Sequence, residues 1–222
     1  MQLALAQNMS SIELQWNQTI PQQEKGRKFE EKYAQLQYMF VGGDIEKLSE
    51  VKADRAKESA RLKWIAYKDQ FFSTVLIADD AFESTQMEST PLNALSRYIK
   101  EYNTTTSLPL DITGKKTTDL HYYLGPNHYN TLKAYDKDVE KADRLHLNEL
   151  VPLGWKIVSW INKALVIPMF NLFTSWGLHI GIVILLMTLV IKLIILPFVF
   201  ASYKSSAKMR VLKPQLDEIN EK

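Results

Sequence analysis

Lys192 stands in the middle of the run Thr188–Pro197 (TLVIKLIILP), whose other members are apolar apart from Thr188. An ammonium in such a setting can attract and hold an anionic or polar group where water is scarce. It donates hydrogen bonds and accepts none. Thr188 lies one helical turn earlier on the same face, so its hydroxyl can add a hydrogen bond there. Little else in the chain has the residue types or spacing for chemistry. Cysteine is absent, which removes disulfides, thiolate metal sites and a Cys nucleophile. His121, His128, His146 and His179 lack an HxxxH-type spacing with a nearby Glu, so they read as solvated surface residues. GxSxG, a phosphate-binding glycine loop and paired carboxylates in an apolar setting are all missing. Asp79-Asp80 reads as a turn. The expectation is a protein that is not an enzyme, with no metal and no cofactor.

The element carrying Lys192 must be a membrane span. The 222 residues are 46% hydrophobic and 23% charged with a net charge of +2, which implies no direct sequence-specific nucleic-acid partner. Those averages hide a division. Residues 1–149 are polar and mixed in charge, and after Glu149 no acidic residue follows until Asp217. Ile180–Phe200 is 21 residues with one charge, the length that crosses a hydrocarbon core. Sixteen of those residues are Leu, Ile, Val or Phe. They favour insertion by about −5 to −9 kcal/mol, against roughly +3 for a central lysine. Insertion therefore wins.

Orientation follows from the flanks. Lys204, Lys208, Arg210 and Lys213 follow the span with no acid among residues 201–213, whereas only Lys163 closely precedes it. The C-terminal end is expected in the cytoplasm and residues 1–149 outside it. The start, MQLALAQNMSS, is not a signal peptide. A polar domain of this size needs an export element, so the chain is expected to be part of a longer polypeptide.

Residues 150–176 form a second membrane element. In Leu153–Thr174, Lys156, Ser159, Asn162 and Lys163 share one helical face while apolar residues cover the rest. Trp155, Trp160 and Trp176 suit a helix lying in the outer headgroup layer. Pro168 is expected to break it, and a second, poorer pass remains an alternative. The span is assigned to 177–200. Residues 201–222 carry Met209, Leu212, Leu216 and Ile219 at spacings of three and four, the start of a two-helix seam with Pro214 near its second stretch. A basic helix on anionic lipid is compatible with it.

The soluble part alternates polar and apolar residues in SIELQW, LQYMFV, RLKWIAYKDQFFSTVLIA, LSRYIKEYNTTTSLPLDI and DLHYYLG. Gly42-Gly43, Asp79-Asp80, Thr113-Gly114 and Gly125-Pro126 punctuate these runs. An antiparallel β-sandwich is predicted over residues 1–149, with a charged loop or short helix near residues 21–35 and a helix near 127–142. The fold class is thus a membrane α+β protein: a β-sandwich, an amphipathic interfacial helix, one transmembrane helix and the start of a cytoplasmic helix.

Several of these segments resemble one family. The pattern T-x-x-x-[RK]-x-x-x-x-P, here Thr188, Lys192 and Pro197, followed by SYKSSAKMRVLKP, resembles the second transmembrane helix and first cytoplasmic helix of the YidC/Oxa/Alb membrane protein insertases. WIAYKDQFFSTVLIADDAF and DLHYYLGPNHYNTLKAYD resemble strands of that family's periplasmic β-supersandwich, and LGWKIVSWINKALVIPMFNLF its periplasmic-side amphipathic helix. The likeness covers nearly the whole chain in order and is closest to the Bacteroidetes branch. It implies a bacterial inner-membrane insertase and chaperone working on nascent membrane proteins within membrane lipid, with the Sec translocon and ribosome as partners. It also implies a hydrophilic groove in which a cation at the Lys192 position, arginine in many members, attracts acidic or polar parts of an incoming segment. Lysine keeps the charge and loses the planar fork. From the residues alone, two other readings stand: a single-pass envelope adaptor whose β-domain binds a partner, and a channel or transporter subunit. Lys192 itself could line a cavity, pair with another helix or snorkel.

Overall fold

The computed structural model describes residues 10–111, 113, 115 and 117–220, with only the backbone at Lys156 and residues 211–220. It falls into two units, Met1–Pro152 and Leu153–Lys222.

In the first unit the predicted alternation becomes antiparallel sheet. Its strands are β1 (Ser11–Pro21), β2 (Gln35–Phe40), β3 (Ile45–Lys47), β4 (Asp54–Glu58), β5 (Leu62–Lys68), β6 (Phe72–Pro91), β7 (Tyr98–Pro109) and β8 (Leu120–Pro126). The order is β1-β7-β6-β5-β2-β3, with β4 and β8 also on β6. The 20-residue β6 joins two layers. Its first half pairs with β5 and β8, and its second half pairs with β7 and β4. The change of partner falls just after Asp79-Asp80, where Ser84 has φ 47 and the register shifts between Glu83 and Gln86. Asp79-Asp80 is therefore not a turn. No Gly or Pro follows to reverse the chain, and the buried Ala81 and Phe82 carry the strand onward through a bulge that bends it.

Between the layers, Leu36, Tyr38, Ile65, Tyr67 and Leu76 pack against Met87, Ile99, Tyr102 and Leu108. A second core covers the other face of the β5 layer. Met39, Trp64, Ala66, Val75 and Ile77 lie there with Leu132 of α2 (Tyr129–Ala134) and with Leu147 and Leu150 of a 3-10 turn. Trp64 Nε1 donates to Leu145 O at 2.7 Å, satisfying the one polar atom of a fully buried ring. The helix expected near 127–142 is short because Asp136 accepts from the backbone N–H of Leu145 and His146, turning the chain back toward the sheet.

Helix α1 (Arg27–Tyr33) is held by charge-assisted bonds. Arg27 donates to the carbonyls of Leu92, Asn93, Ser96 and Tyr98, which fixes the β6–β7 loop. Lys68 Nζ donates to Tyr33 O and Lys100 Nζ to Ala34 O and Glu50 O. Two buried ammonium groups thus serve the Tyr33 and Ala34 carbonyls that the end of α1 leaves without intrahelical partners, and Lys100 also ties in the loop after β3 through Glu50 O.

The second unit is helical: α3 (Lys156–Ile161), a π-type stretch Asn162–Val166, α4 (Ile167–Ser175) and α5 (Ile180–Asn220). Pro168 does not end the helix, contrary to the sequence expectation. Having no N–H for the Ala164 carbonyl, it is accommodated by the widened π pattern immediately before it, and the chain stays helical from 156 to 175. α5 likewise runs unbroken through Pro197 and Pro214 for 41 residues, about 60 Å at the usual rise. Met209 lies in this helix, whereas the side chains of Leu212, Leu216 and Ile219 lie outside the described residues.

Candidate functional site

Gly177, with φ 70, closes α4 and lets the chain turn into α5 within a few residues. At this end of α4 the Thr174 hydroxyl donates to Phe170 O and the Ser175 hydroxyl to Leu172 O. The Leu172 carbonyl, in the last turn, is thereby satisfied from within, and the Phe170 carbonyl gains a second donor. The two helices then share one apolar cluster. Met169, Phe170 and Phe173 of α4 pack on Val183, Leu186, Met187, Val190 and Ile191 of α5. About one turn of α4 meets about two turns of α5.

This packing decides which face of α5 is open. Val183 and Lys192 are nine residues apart, two and a half turns, which places them about 180° apart around the helix. Thr188 is about 40° from Lys192. Lys192 and Thr188 are both exposed, on the side away from α4. The Thr188 hydroxyl donates to Ile184 O at 2.8 Å, so its remaining capacity toward that face is as an acceptor. The structure puts the two residues singled out from sequence on one face of α5, and among the described residues none packs over that face. Sequence reasoning missed the α4–α5 contact. The only trace of it is the 169/173 and 183/187/190 spacing, which cannot name a partner.

The other sequence-predicted residues are placed more loosely. Trp155, Trp160 and Trp176 are 79%, 70% and 60% exposed, as rings seeking an interface would be. They do not form one stripe: Trp155 and Trp160 are separated by about 140° of helix, and Trp176 caps α4 with its ring 5.3 Å from that of Phe173. Of the proposed polar face, Asn162 is turned inward to donate to Leu153 O at 3.0 Å. Ser159 is half-buried and Lys163 exposed, and the side chain of Lys156 lies outside the described residues. Lys204, Lys208 and Arg210 are exposed on α5. The side chain of Lys213 lies outside the described residues.

In the first unit, a cleft of about 450 Å³ is lined by Lys63, Asp79, His121, Tyr122, Tyr123 and Tyr135. His121 Nε2 lies 3.0 Å from Asp79 Oδ1, a pairing that reading the two as a turn and a lone surface histidine did not anticipate. Among the described residues no group of His, Cys, Asp and Glu could hold a metal ion.

Two helices, Ile157–Ser175 and Ile180–Arg210, are long and apolar enough to cross a membrane. Comparison with known proteins divides the chain within the first of these helices. Residues 4–168 match the YidC periplasmic domain. The chain belongs to the YidC family. Residues 170–222 match a second YidC-associated family, described as 60Kd inner membrane protein. Similar proteins include the membrane protein insertase YidC of Parabacteroides distasonis, 48% identical over 218 residues, which is 98% of this chain and 34% of the relative. That of Azobacteroides pseudotrichonymphae is 49% identical over 220 residues, 99% of this chain and 36% of the relative. That of Bacteroides fragilis is 46% identical over 218 residues, 98% and 35%. The chain therefore spans about a third of the length of the curated YidC relatives it matches.

Proposed function

We propose that this chain is the part of a membrane protein insertase and chaperone that supplies a groove cation. It acts without covalent chemistry on nascent membrane proteins in the bacterial inner membrane. Residues 1–149 are periplasmic, 150–176 lie at the outer interface, 177–200 cross, and 201–222 begin a cytoplasmic helix. The Sec translocon and the ribosome are its proposed partners, and membrane lipid surrounds it.

One observation carries this reading: Lys192 and Thr188 share the face of α5 that α4 leaves open. A cation is kept in a span only where something offsets its desolvation. Lys192 is more than two turns from the cytoplasmic end of the apolar run, and helix side chains lean toward the N-terminus, which makes snorkelling to that surface awkward. A hydrated groove solves the problem. There the ammonium holds the acidic or polar part of an incoming segment and lowers the barrier to its passage.

The test is insertion by the full-length protein of a substrate with an acidic translocated segment. Lys192→Leu and Lys192→Glu should slow it by roughly tenfold, about 1.4 kcal/mol of barrier, and Lys192→Arg should retain it. Normal insertion by Lys192→Leu would remove the groove role from this residue.

A further inference from the structure

Beside the second core of the first unit lies a cleft of about 470 Å³ in which the groove has no part. Lys133, Lys137, Arg144, His146 and Asn148 line it, together with one acid, Asp136. The fold gathers them from two directions. α2 sends Leu132 fully into the core, which leaves Lys133 outside. Asp138, at φ 61, reverses the chain. Asp136 then draws the return segment against α2, its two carboxylate oxygens accepting the N–H of Leu145 and His146 at 2.7 and 3.0 Å. His146 takes φ 49, and Leu147 after it is again fully buried. Leucines pin both walls to the sheet while their polar neighbours stand around one hollow.

The charges in this hollow are unbalanced. Among the described residues none of its three cations enters an ion pair. Lys133 Nζ lies 5.9 Å from the centre of the Tyr129 ring, and Arg144 Nε donates to Val139 O at 3.4 Å. The end of α2 does not claim them either, because the N–H groups of Tyr135, Asp136 and Lys137 serve the carbonyls of Leu132, Lys133 and Ala134. The exposed Asp138, Glu140 and Glu149 are absent from the lining, and Asp143 lines the neighbouring cleft with Asp79 and His121. Three cations less one carboxylate leave an excess of two positive charges.

We propose that this cleft binds phosphate. An anion with about two charges spread over several oxygens matches both the excess and the donors: a free phosphate, or a lipid headgroup with two phosphodiesters. Arg144 offers a planar fork from one wall and the lysines compact charges from the other. Asn148 stands eight residues before Lys156, the start of α3, which the function proposed above places at the outer interface. A lipid source rests on that placement; inorganic phosphate tests the site without it.

The experiment follows amide hydrogen exchange over residues 133–148 of the full-length protein at low salt. It compares nanodiscs of phosphatidylcholine, the same nanodiscs with millimolar inorganic phosphate, and nanodiscs of equal parts phosphatidylcholine and cardiolipin. Exchange should slow on the order of tenfold once ligand exceeds its Kd by that factor. Slowing by cardiolipin alone assigns the site to lipid, and slowing by inorganic phosphate assigns it to the free anion. Lys133→Glu, Lys137→Glu and Arg144→Glu combined should abolish the effect. Lys141→Glu, exposed on the same segment outside the cleft, should keep it. Unchanged exchange in β5 and β6 shows that each variant is folded. No slowing by either ligand overturns the proposal, as does equal slowing in the triple variant and in Lys141→Glu. Equal slowing by a polyglutamate peptide overturns it too, making the cleft a contact for acidic protein.

Discussion

Lys68 and Lys100 are each 1% exposed; Lys68 gives its ammonium to Tyr33 O at the end of α1, and Lys100 gives its own to Ala34 O just beyond it and to Glu50 O. Burial disfavours the charged form and lowers both from the ordinary 10.5 to about 8. Neighbouring Asp69 near Lys68, and Glu31 and Glu50 near Lys100, pull the other way. The unfolded chain therefore binds more protons than the folded one between pH 8 and 10.5, and stability rises with pH across that window. Below pH 8 both states are protonated and the gain is absent. Tyr38, Tyr67 and Tyr102 oppose it at the upper end. Burial raises all three above 10.0, so their contribution is complete below pH 10 and lost as pH climbs past it. The urea midpoint of the first unit should climb from pH 8, turn over near pH 10 and fall beyond. Replacing both lysines with Met should flatten the climb, and an unchanged slope in that variant would refute the assignment.

At the scale of elements, the π stretch Asn162–Val166 is a consequence of one residue. With Pro168→Ala the missing N–H returns, and the extra residue in the turn has no reason to stay. The stretch should relax to an α-helix and rotate α3 by about 100° relative to α4. Because the chain has no cysteine, single cysteines introduced through 156–175 report this directly. Their labelling pattern should shift by one position over 156–161 and stay put over 169–175; no shift would show that the π turn has another cause. Alternating polar and apolar residues revealed β1, β2, β7, β8 and one run covering β5 with the first half of β6, because each has a face in a core; the second half of β6, beyond the expected turn at Asp79-Asp80, was not read. The charged β4, DRAKE, gave no such signal, since it forms by taking the open backbone edge of β6 and its side chains mark a short, guarded edge. In the site, the Thr188–Lys192 spacing was legible because it is local. Which side of α5 stays open was not, because Met169 and Phe173 decide it from another helix.

For the molecule as a whole, sidedness is the open consequence, and it depends on what Ile157–Ser175 does. If only α5 crosses, residues 1–149 and the end of α5 lie on opposite sides; if both helices cross, they share one. Positive charge favours the first arrangement, with Lys204, Lys208, Arg210 and Lys213 after the span against Lys163 closely before it. The π stretch favours it too: Lys163 and Asn162 would sit near mid-bilayer in a crossing helix, whereas an interfacial one places them at headgroup depth. Two exposed positions separate the cases. Leu95, 94% exposed, lies in the β6–β7 loop, and Ser206 is exposed on α5. In spheroplasts treated with a membrane-impermeant maleimide, full-length Leu95→Cys should be labelled at once and Ser206→Cys only after permeabilisation. Labelling of both from the same side would make Ile157–Ser175 a true span. Labelling of both only after permeabilisation would move the first unit to the other side, whereas labelling of both at once would reverse the direction from which an acidic segment could meet Lys192.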